Sequence, residues 1–494
     1  MVTPTFDAPG YWLSRLVFKR GLGLIYLIAF IVALNQFRPL LGERGLLPVP
    51  AFLKQVAFRQ TPSLFFFWPK DTAFAAAAWI GIVFACLTLT GLADRYSTWF
   101  SMLVWAVLWV LYLSFVNVGQ TFYGFGWESI LLEAGFFTIF LGSRGVAPPT
   151  IMIWILRWTL FRVMFGAGLI KLRGDPCWRD FTCLDYHYET QPMPNPLSWY
   201  FHVAPLWTHR AGVAFNHFAE LIAPFGYFAP QPIASIAGLI TIVFQGTIMA
   251  SGNLSWLNFL TIVLAIPTLD DRILGAILPL RLPELRAPHI IYKGAIVAIA
   301  LLVAYLSINP IRNLISRRQI MNTTYNPFHI VGTYGAFGSI TRTRYEIVVE
   351  GTDEAVLTPS TKWREYEFRG KPGDPSRAPP QIAPYHLRLD WLMWFAAMSD
   401  YYEHPWFLHF IAKLLEGDAA TASLLKTNPF PKEPPRFIRA QLYEYHFTTP
   451  EEHRKTGLWW NRRPAGSYFP AVSLQTPSFR NVLDRLGWLD QVAP

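Results

Sequence analysis

The chain has 494 residues, of which 52% are hydrophobic, 16% aromatic and only 15% charged, with a net charge of +10. Soluble domains carry about 25% charged residues, and disordered chains are poor in aromatic residues, so neither class fits. Three cysteines are too few for a disulfide-rich scaffold. The composition therefore indicates a polytopic membrane protein.

Nine apolar segments follow one another in the first 310 residues. They are 21–37, 73–91, 100–118, 127–142, 151–170, 213–229, 233–250, 254–266 and 289–308. A helix needs roughly 17–25 mostly apolar residues to cross a bilayer, so segments 127–142 and 254–266 are short and are either re-entrant or buried inside the bundle. We predict a transmembrane bundle of eight or nine α-helical spans over residues 1–310, beginning with an uncleaved signal anchor.

The composition of the sequence changes after residue 311, where no apolar run is long enough to span a bilayer. Alternating β-branched and aromatic residues predict strands at 345–350, 363–368 and 443–447. Apolar periodicity predicts helices at 389–398 and 405–415. We therefore expect residues 311–494 to form a mixed, β-rich soluble C-terminal domain.

The apolar segments carry a few ionisable side chains, which are costly inside a bilayer. The cations are Arg157, Arg162 and Lys171, and their candidate partners are Glu128, Glu133, His217 and Glu220. Two hypotheses remain open: interhelical ion pairs that lock the bundle, or a polar cavity that holds a substrate or a segment of a client protein.

A loop over residues 171–212 concentrates ionisable side chains and two of the three cysteines. Prolines at 192, 194 and 196 prevent a regular helix, so we expect an ordered loop. Its polar candidate residues are Arg173, Asp175, Asp185, His187, Glu189, His202 and His209. Cys177 and Cys183 either form a small disulfide in an oxidising compartment or remain free thiols. No pair has zinc-ligand spacing, so no metal or cofactor is predicted.

Standard catalytic motifs are missing from the sequence. It contains no G-x-S-x-G, H-E-x-x-H, Walker A or G-x-G-x-x-G motif. Basic residues do not cluster with aromatic residues between them, so nucleic acid is not an expected partner.

The loop sequence KLRGDPCWRDFTCLDYHYETQPMPNPLSWYFH (171–202) resembles the lipase maturation factor family. The resemblance continues at NHFAELIAPF (216–225), SGNLSWLNFLTIV (251–263), TYGAFGSITRTR (333–344), WREYEFRGKPGD (363–374) and PYHLRLDWLMWFAAM (384–398). It implies a multi-pass membrane protein that helps secreted homodimeric lipases fold, assemble and leave the endoplasmic reticulum. The C-terminal domain would face the lumen, or the extracytoplasmic side of the cytoplasmic membrane in a bacterium.

This resemblance implies a chaperone-like factor rather than an enzyme, with client lipases and the bilayer as partners. Candidate client contacts are Trp391, Trp394, Trp406, Trp459 and Trp460. A distant resemblance of the membrane half to the family of the vitamin-K-dependent γ-carboxylase implies an alternative. In that alternative the chain is a membrane enzyme with Lys171 as base, and Arg157, Arg162, His187, His217 and Glu220 line its cavity.

Overall fold

The computed structural model describes residues 6–280 and 282–488. Within them, nine helices form an N-terminal bundle. In chain order α1 to α9 they are Trp12–Leu41, Asp71–Thr90, Thr98–Val118, Gly126–Thr138, Thr150–Arg173, Leu206–His217, Ile233–Ser251, Leu257–Ala265 and Ile290–Leu306. Six of the described helical segments are long and apolar enough to cross a membrane, namely those containing α1, α2, α3, α5, α7 and α9. The predicted membrane bundle is confirmed.

Of the three remaining passes, two are shorter than a bilayer requires and one is interrupted by a π-helical turn. Helix α4 has 13 residues, all buried except Phe136, and α8 has nine. These two correspond to segments 127–142 and 254–266, and both lie inside the bundle. Helix α6 continues through a π-helical turn at Phe218–Ile222 into a last turn at Ala223–Gly226.

Close packing between neighbouring helices follows from small residues at their contacts. Gly81 of α2 faces Phe30 of α1 so closely that a Cβ there would lie 2.4 Å from the ring. Small residues allow this approach where no hydrophobic force drives helix association within the bilayer. Helix α2 ends at Gly91, whose φ of +87° favours glycine, and Ser97 caps α3 by accepting from the N–H of Phe100.

Contacts at the two ends of α1 show how this helix is oriented relative to α8 and the C-terminal domain. At one end, the Ser14 hydroxyl near the start of α1 donates to the carbonyl of Ile266 just after α8. At the other end, Gln36 near the end of α1 donates to the carbonyl of His386 in the C-terminal domain, at 2.6 Å. The N-terminus of α1 and the C-terminal domain therefore lie at opposite ends of the bundle.

Exposed aromatic side chains lie between α1 and α2 and between α5 and α7, at the end of the bundle that carries the C-terminal domain. Phe67 and Trp68 are 79% and 64% exposed, and Tyr200 and Trp207 are 55% and 72% exposed. Tryptophan and tyrosine are enriched at the boundary between a bilayer and water. We expect these side chains to mark that boundary.

The C-terminal domain contains a four-stranded antiparallel sheet with strand order β2-β1-β3-β4. The strands β1 to β4 are Arg344–Thr352, Arg364–Glu365, Phe437–Phe447 and Trp460–Val472. Four helices of seven residues or more accompany them, namely α10 Arg388–Ala396, α11 Pro405–Leu415, α12 Pro450–Thr456 and α13 Pro477–Arg485. The mixed architecture is confirmed, together with the predicted strands in β1 and β3 and the helices α10 and α11.

Two details of the C-terminal domain differ from the sequence-based expectation. The predicted strand 363–368 pairs with β1 only at Arg364–Glu365, because the N–H of Glu367 turns to the carbonyl of Thr427 instead. Strand β4 was not predicted, since it contains Pro464 and Gly466 and its central residues are exposed. Without a buried face it has no alternating pattern to recognise.

The segment between residues 316 and 343 packs against the bundle although it lies beyond the predicted boundary at residue 310. Its backbone reaches α5, where the carbonyl of Tyr334 would lie 2.4 Å from a Cβ at Gly166. The domain boundary itself remains a prediction.

Candidate functional site

Lys171 lies at the end of α5 in a buried polar cluster. Its Nζ donates to Glu220 Oε1 and Oε2 at 2.6 and 2.7 Å and to Asn216 Oδ1 at 3.0 Å. Asn216 in turn donates to Glu220 Oε2 at 3.1 Å. The ammonium also lies 5.0 Å from the centre of the Trp178 ring. All three donors of the ammonium are thus used within the protein, and the pair carries no net charge.

Arg162 precedes Lys171 on α5 and forms an ion pair with Glu133 of α4. Both side chains are at most 1% exposed. Its Nη1 also donates to the carbonyl of Gly332 at 2.7 Å. Glu133 accepts from the Tyr334 hydroxyl at 2.6 Å and from the N–H of Gly332 at 3.1 Å. This cluster fastens α4, α5 and the segment after the bundle to one another.

Arg157 has no carboxylate partner among the described residues, contrary to the expectation that the acids in the apolar segments would neutralise it. Its guanidinium donates to the carbonyls of Pro267 and Tyr227 at 2.9 and 3.0 Å and to the Tyr11 hydroxyl at 2.9 Å. These partners lie at the end of the bundle far from Lys171. Carbonyls left free where helices end supply the acceptors.

His217 does not face Glu220, although residues three apart in a regular α-helix share a face. Its Nε2–H donates to the carbonyl of Trp178 at 2.9 Å, whereas Glu220 turns to Lys171. The π-helical turn Phe218–Ile222 begins between the two residues and changes the angle between their side chains.

Arg173 and Asp175 lie where α5 passes into the loop. Arg173 donates to the Gln319 side chain and the Leu314 carbonyl at 2.8 and 2.9 Å. Asp175 accepts from Arg342 at 2.7 Å and from the N–H of Cys177 at 3.0 Å. The hydrogen bond from Arg342 lowers the pKa of Asp175 to about 2. Both residues therefore hold the loop in place.

Cys177 and Cys183 form a disulfide, and both are at most 2% exposed. The closed loop is short, so the chain-entropy model gives a stabilisation of only about 2 kcal/mol. The disulfide fixes the turn that carries Trp178 beside Lys171.

Replacing both cysteines with serine is expected to lower the free energy of unfolding by about 2 kcal/mol. The measurement is thermal unfolding of the detergent-solubilised protein, with Cys86→Ser as control because Cys86 is the free cysteine among the described residues. Alkylation before reduction should modify Cys86 alone. Modification of Cys177 or Cys183 in the unreduced protein would contradict the assignment.

Asp185 and His209 form a second polar contact within the loop. His209 Nδ1 lies 3.0 Å from Asp185 Oδ1, and its Nε2 lies 2.9 Å from the carbonyl of Phe201. Nη1 of Arg210 also donates to Asp185 Oδ2 at 2.8 Å. His209 is therefore held within the loop, and no group of three metal-ligating side chains is gathered within residues 6–280 and 282–488.

Glu189 joins the loop to strand β3 of the C-terminal domain. Its carboxylate accepts from the N–H of Phe447 at 2.6 Å and lies 2.9 Å from His446 Nδ1. His446 Nε2 lies 2.6 Å from Glu444, and His202 lies 3.6 Å from Glu189. We refer to these four side chains, Glu189, His202, Glu444 and His446, as the junction cluster.

The junction cluster predicts a pH dependence of stability. Burial lowers the pKa of His446, but hydrogen bonds and attraction from Glu444 and Glu189 outweigh it and raise that pKa above its ordinary value. The contribution of His446 is therefore fully present below the unfolded pKa of about 6.5, and it is lost as pH rises through the raised folded pKa.

Thermal unfolding of the wild type and of His446→Gln measured from about pH 6 to pH 9 should show this loss. The wild type should exceed the variant at the acidic end, and the difference should shrink as pH rises. His202 is present in both proteins, and the burial that lowers its pKa is the same in both, but the variant also removes the repulsion that His446 exerts on it. A difference that stays constant across this range would contradict the prediction.

A cavity of about 800 Å³ lies between the bundle and the C-terminal domain. Lys171, Asn216, Glu220 and His187 form one end of it, and apolar residues of α5, α7 and α8 form its wall. Helices α10 and α11 of the C-terminal domain cover it.

The His187 ring packs against Phe337, with 5.0 Å between ring centres. Its imidazole has no hydrogen-bond partner among the described residues. Burial, and then the charge of Lys171, lower the pKa of His187 to about 4, so the ring is neutral.

Comparison with known proteins matches both halves of the chain. A family model described as the lipase maturation factor transmembrane domain matches residues 13–276, and one described as the lipase maturation factor C-terminal domain matches residues 330–470. Lipase maturation factor 1 of Homo sapiens is 44% identical over 524 residues, covering 97% of this chain and 90% of that protein. The chain belongs to the lipase maturation factor family.

Two further relatives have similar coverage. Lipase maturation factor 1 of Bos taurus is 44% identical over 510 residues, covering 94% of this chain and 90% of that protein. Lipase maturation factor 2 of Xenopus laevis is 30% identical over 608 residues, covering 97% and 85%. No solved structure matches this member of the family.

The enzyme alternative required the six candidate side chains to converge on one pocket. Lys171, His187 and Glu220 line the cavity, but Arg157, Arg162 and His217 do not. Each of these last three has its own partners elsewhere. Individually satisfied charges favour a maturation factor of this family over a γ-carboxylase-like enzyme.

The tryptophans considered as client contacts are mostly part of the core of this family member. Trp391, Trp406 and Trp460 are at most 3% exposed. Trp394 is half-buried and donates to the carbonyl of Thr190, and Trp459 packs on His453. Packing between the two halves of the chain explains their positions, so the expectation was wrong for the three buried residues.

Arg388 is a buried cation that sequence reasoning missed. It extends from α10 into the bundle, where its Nη1 lies 2.8 Å from Glu128 Oε1 and donates to the carbonyl of Phe122 at 2.6 Å. Its guanidinium lies 3.4 Å from the centre of the Tyr123 ring. The sequence analysis named Glu128 as a candidate partner of the membrane cations, but within the apolar segments it accepts from the neutral Tyr112 hydroxyl, and its cation comes from α10.

Proposed function

We propose that the chain is a membrane-bound maturation factor that helps secreted homodimeric lipases fold, assemble and leave the compartment in which they are made. The observation that carries the proposal is 44% identity to proteins named lipase maturation factor 1 over at least 94% of this chain. That span includes both the bundle and the C-terminal domain and covers 90% of each relative.

The proposed location is the endoplasmic reticulum membrane in a eukaryote and the cytoplasmic membrane in a bacterium. The C-terminal domain and the disulfide-containing loop lie at the same end of the bundle, and disulfides persist in oxidising compartments. This supports placing both on the luminal or extracytoplasmic side, where secreted clients fold. We propose the loop 171–212 and the outer surface of the C-terminal domain as the client-binding region.

The test is rescue of lipase secretion in cells whose own lipase maturation factor has been deleted. Cells receive a secreted lipase together with this chain, the Homo sapiens relative, or an empty vector, and lipase activity is measured in the medium and in the lysate. We expect this chain to raise the activity in the medium well above that with the empty vector. A secreted protein that is not a lipase serves as the control for general secretion.

Two outcomes would contradict the proposal. In one, the relative restores secretion while this chain, present at equal abundance in the membrane, does not. In the other, the secreted control protein rises as much as the lipase, which would indicate a general effect on secretion.

A further inference from the structure

The cavity beneath the C-terminal domain is not used by the proposed function. Its volume of about 800 Å³ lies within the range of small-molecule sites, which is roughly 300–1,000 Å³. Most of the lining is apolar or aromatic, including Phe215, Phe244, Leu254 and Trp406. Such a wall suits a hydrocarbon chain rather than a polar metabolite.

The polar end of the cavity offers hydrogen bonds without a net charge. The Lys171 ammonium is neutralised by Glu220 and has its three donors occupied. An anionic head would meet the Glu220 carboxylate, and a cationic head would meet Lys171. The neutral His187 ring provides one free donor and one free acceptor. Hydroxyl and carbonyl groups are the ligand groups that complement such a ring.

The cavity also reaches the surface of the bundle that faces the bilayer. Ile236, Leu239 and Val243 of α7 are 53%, 41% and 60% exposed, as expected of residues in contact with lipid. Thr247 lies one turn beyond Val243 and lines the cavity. On the neighbouring helix α6, Phe215 lines the cavity one turn before Phe218, which is 42% exposed. The Phe215 ring packs against Phe244 of α7, with 5.7 Å between ring centres. Entry of a lipid between α6 and α7 therefore requires these two rings to move apart.

We propose that this cavity binds an uncharged lipid, with its hydrocarbon chain along the aromatic wall and its hydroxyl- or carbonyl-bearing head beside His187. Glycerides and sterols share this chemistry. The inference goes beyond the proposed function and does not depend on a client, because binding is measured on the purified chain alone.

The test is photolabelling of the full-length protein in nanodiscs. The probes are a photoactivatable diacylglycerol, a photoactivatable sterol, and a photoactivatable phosphatidic acid with the same acyl chains as the diacylglycerol. We expect at least one uncharged probe to label peptides of α6 and α7 that line the cavity, and phosphatidic acid to label them several-fold less. Whichever uncharged probe labels more strongly identifies the source of the lipid.

Two matched tryptophan variants distinguish labelling inside the cavity from labelling at the surface that faces the bilayer. Thr247→Trp narrows the opening and should reduce labelling at least fivefold. Val243→Trp lies one turn away on the lipid-facing surface and should leave labelling within twofold of the wild type. His187→Phe keeps the ring but removes its hydrogen bonds, and it should reduce labelling by about fivefold.

The proposal would be overturned if neither uncharged probe labels the cavity peptides of the wild type, a result that requires no variant to fold. Equal labelling by phosphatidic acid would overturn the proposal that the lipid head is uncharged. Unchanged labelling in Thr247→Trp would overturn the route between α6 and α7. A photocrosslinker at Thr247 that captures a lipase chain instead of lipid would assign the cavity to a client segment, which also overturns the proposal.

Discussion

Arg162→Met is expected to lower the free energy of unfolding by about 3–5 kcal/mol, because it leaves the Glu133 carboxylate buried without its cation. Both side chains are at most 1% exposed, so water cannot replace the lost partner. The remaining donors to Glu133, from Tyr334 and the N–H of Gly332, are neutral and compensate only in part. A loss of this size is a large fraction of the free energy of unfolding of a typical protein, which is about 5–15 kcal/mol.

The measurement is thermal unfolding in detergent, together with the amount of folded protein recovered from membranes. Arg173→Met is the matched control, because Arg173 lies on the same helix but is exposed and is not in an ion pair with a carboxylate. It should change stability by about 0.5 kcal/mol or less. The double variant Arg162→Met, Glu133→Met should recover part of the loss, since it removes both charges. An unfolding temperature equal to that of the wild type in Arg162→Met would contradict the prediction.

Arg388→Met is expected to separate the C-terminal domain from the bundle. The substitution leaves the Glu128 carboxylate without its cation in a site where both side chains are fully buried. The Tyr112 hydroxyl still donates to it but is neutral, so the expected cost is about 3–5 kcal/mol. It also removes the hydrogen bond to Phe122 and the contact with the Tyr123 ring. Because this cation is inserted from one half of the chain into the other, the loss falls on the interface rather than on either half alone.

Limited proteolysis distinguishes this result from general unfolding. We expect Arg388→Met to release a C-terminal fragment faster than the wild type while the bundle remains intact, and the unfolding temperature to fall. Arg364→Met is the control in the same domain, since Arg364 pairs with Asp353 where both are exposed, and such pairs contribute about 1 kcal/mol or less. Cleavage at the wild-type rate in Arg388→Met would show that other contacts hold the interface.

The sequence was sufficient for the elements with a strong periodic or compositional signal. Long uncharged runs such as those in α2 and α3 leave no alternative to a buried or membrane-crossing helix. Strand β1 is rich in β-branched and aromatic residues with a rough alternation, and Pro405 with Gly417 limits α11. Strand β4 was missed because exposed polar residues, a proline and a glycine carry no such signal.

The cost of unpaired ions in a bilayer identified Glu133 and Glu220 as candidate partners of the membrane cations, without assigning the pairs. The structure pairs Glu133 with Arg162 and Glu220 with Lys171. Glu128 with Arg388 could not be foreseen, because its partner comes from a part of the chain that composition assigns to water. The direction of His217 depends on a π-helical turn, which leaves no mark in the amino-acid pattern.

The contact between Gln36 and the C-terminal domain imposes an order on biosynthesis. Gln36 is in the first helix to leave the ribosome, yet its side chain donates to the carbonyl of His386, 350 residues later. Until that region has been translated, the amide of Gln36 lacks its partners and the carboxylate of Glu128 lacks its cation. A nascent chain halted before α10 would therefore hold these two polar side chains inside the bundle without the partners that the complete chain supplies.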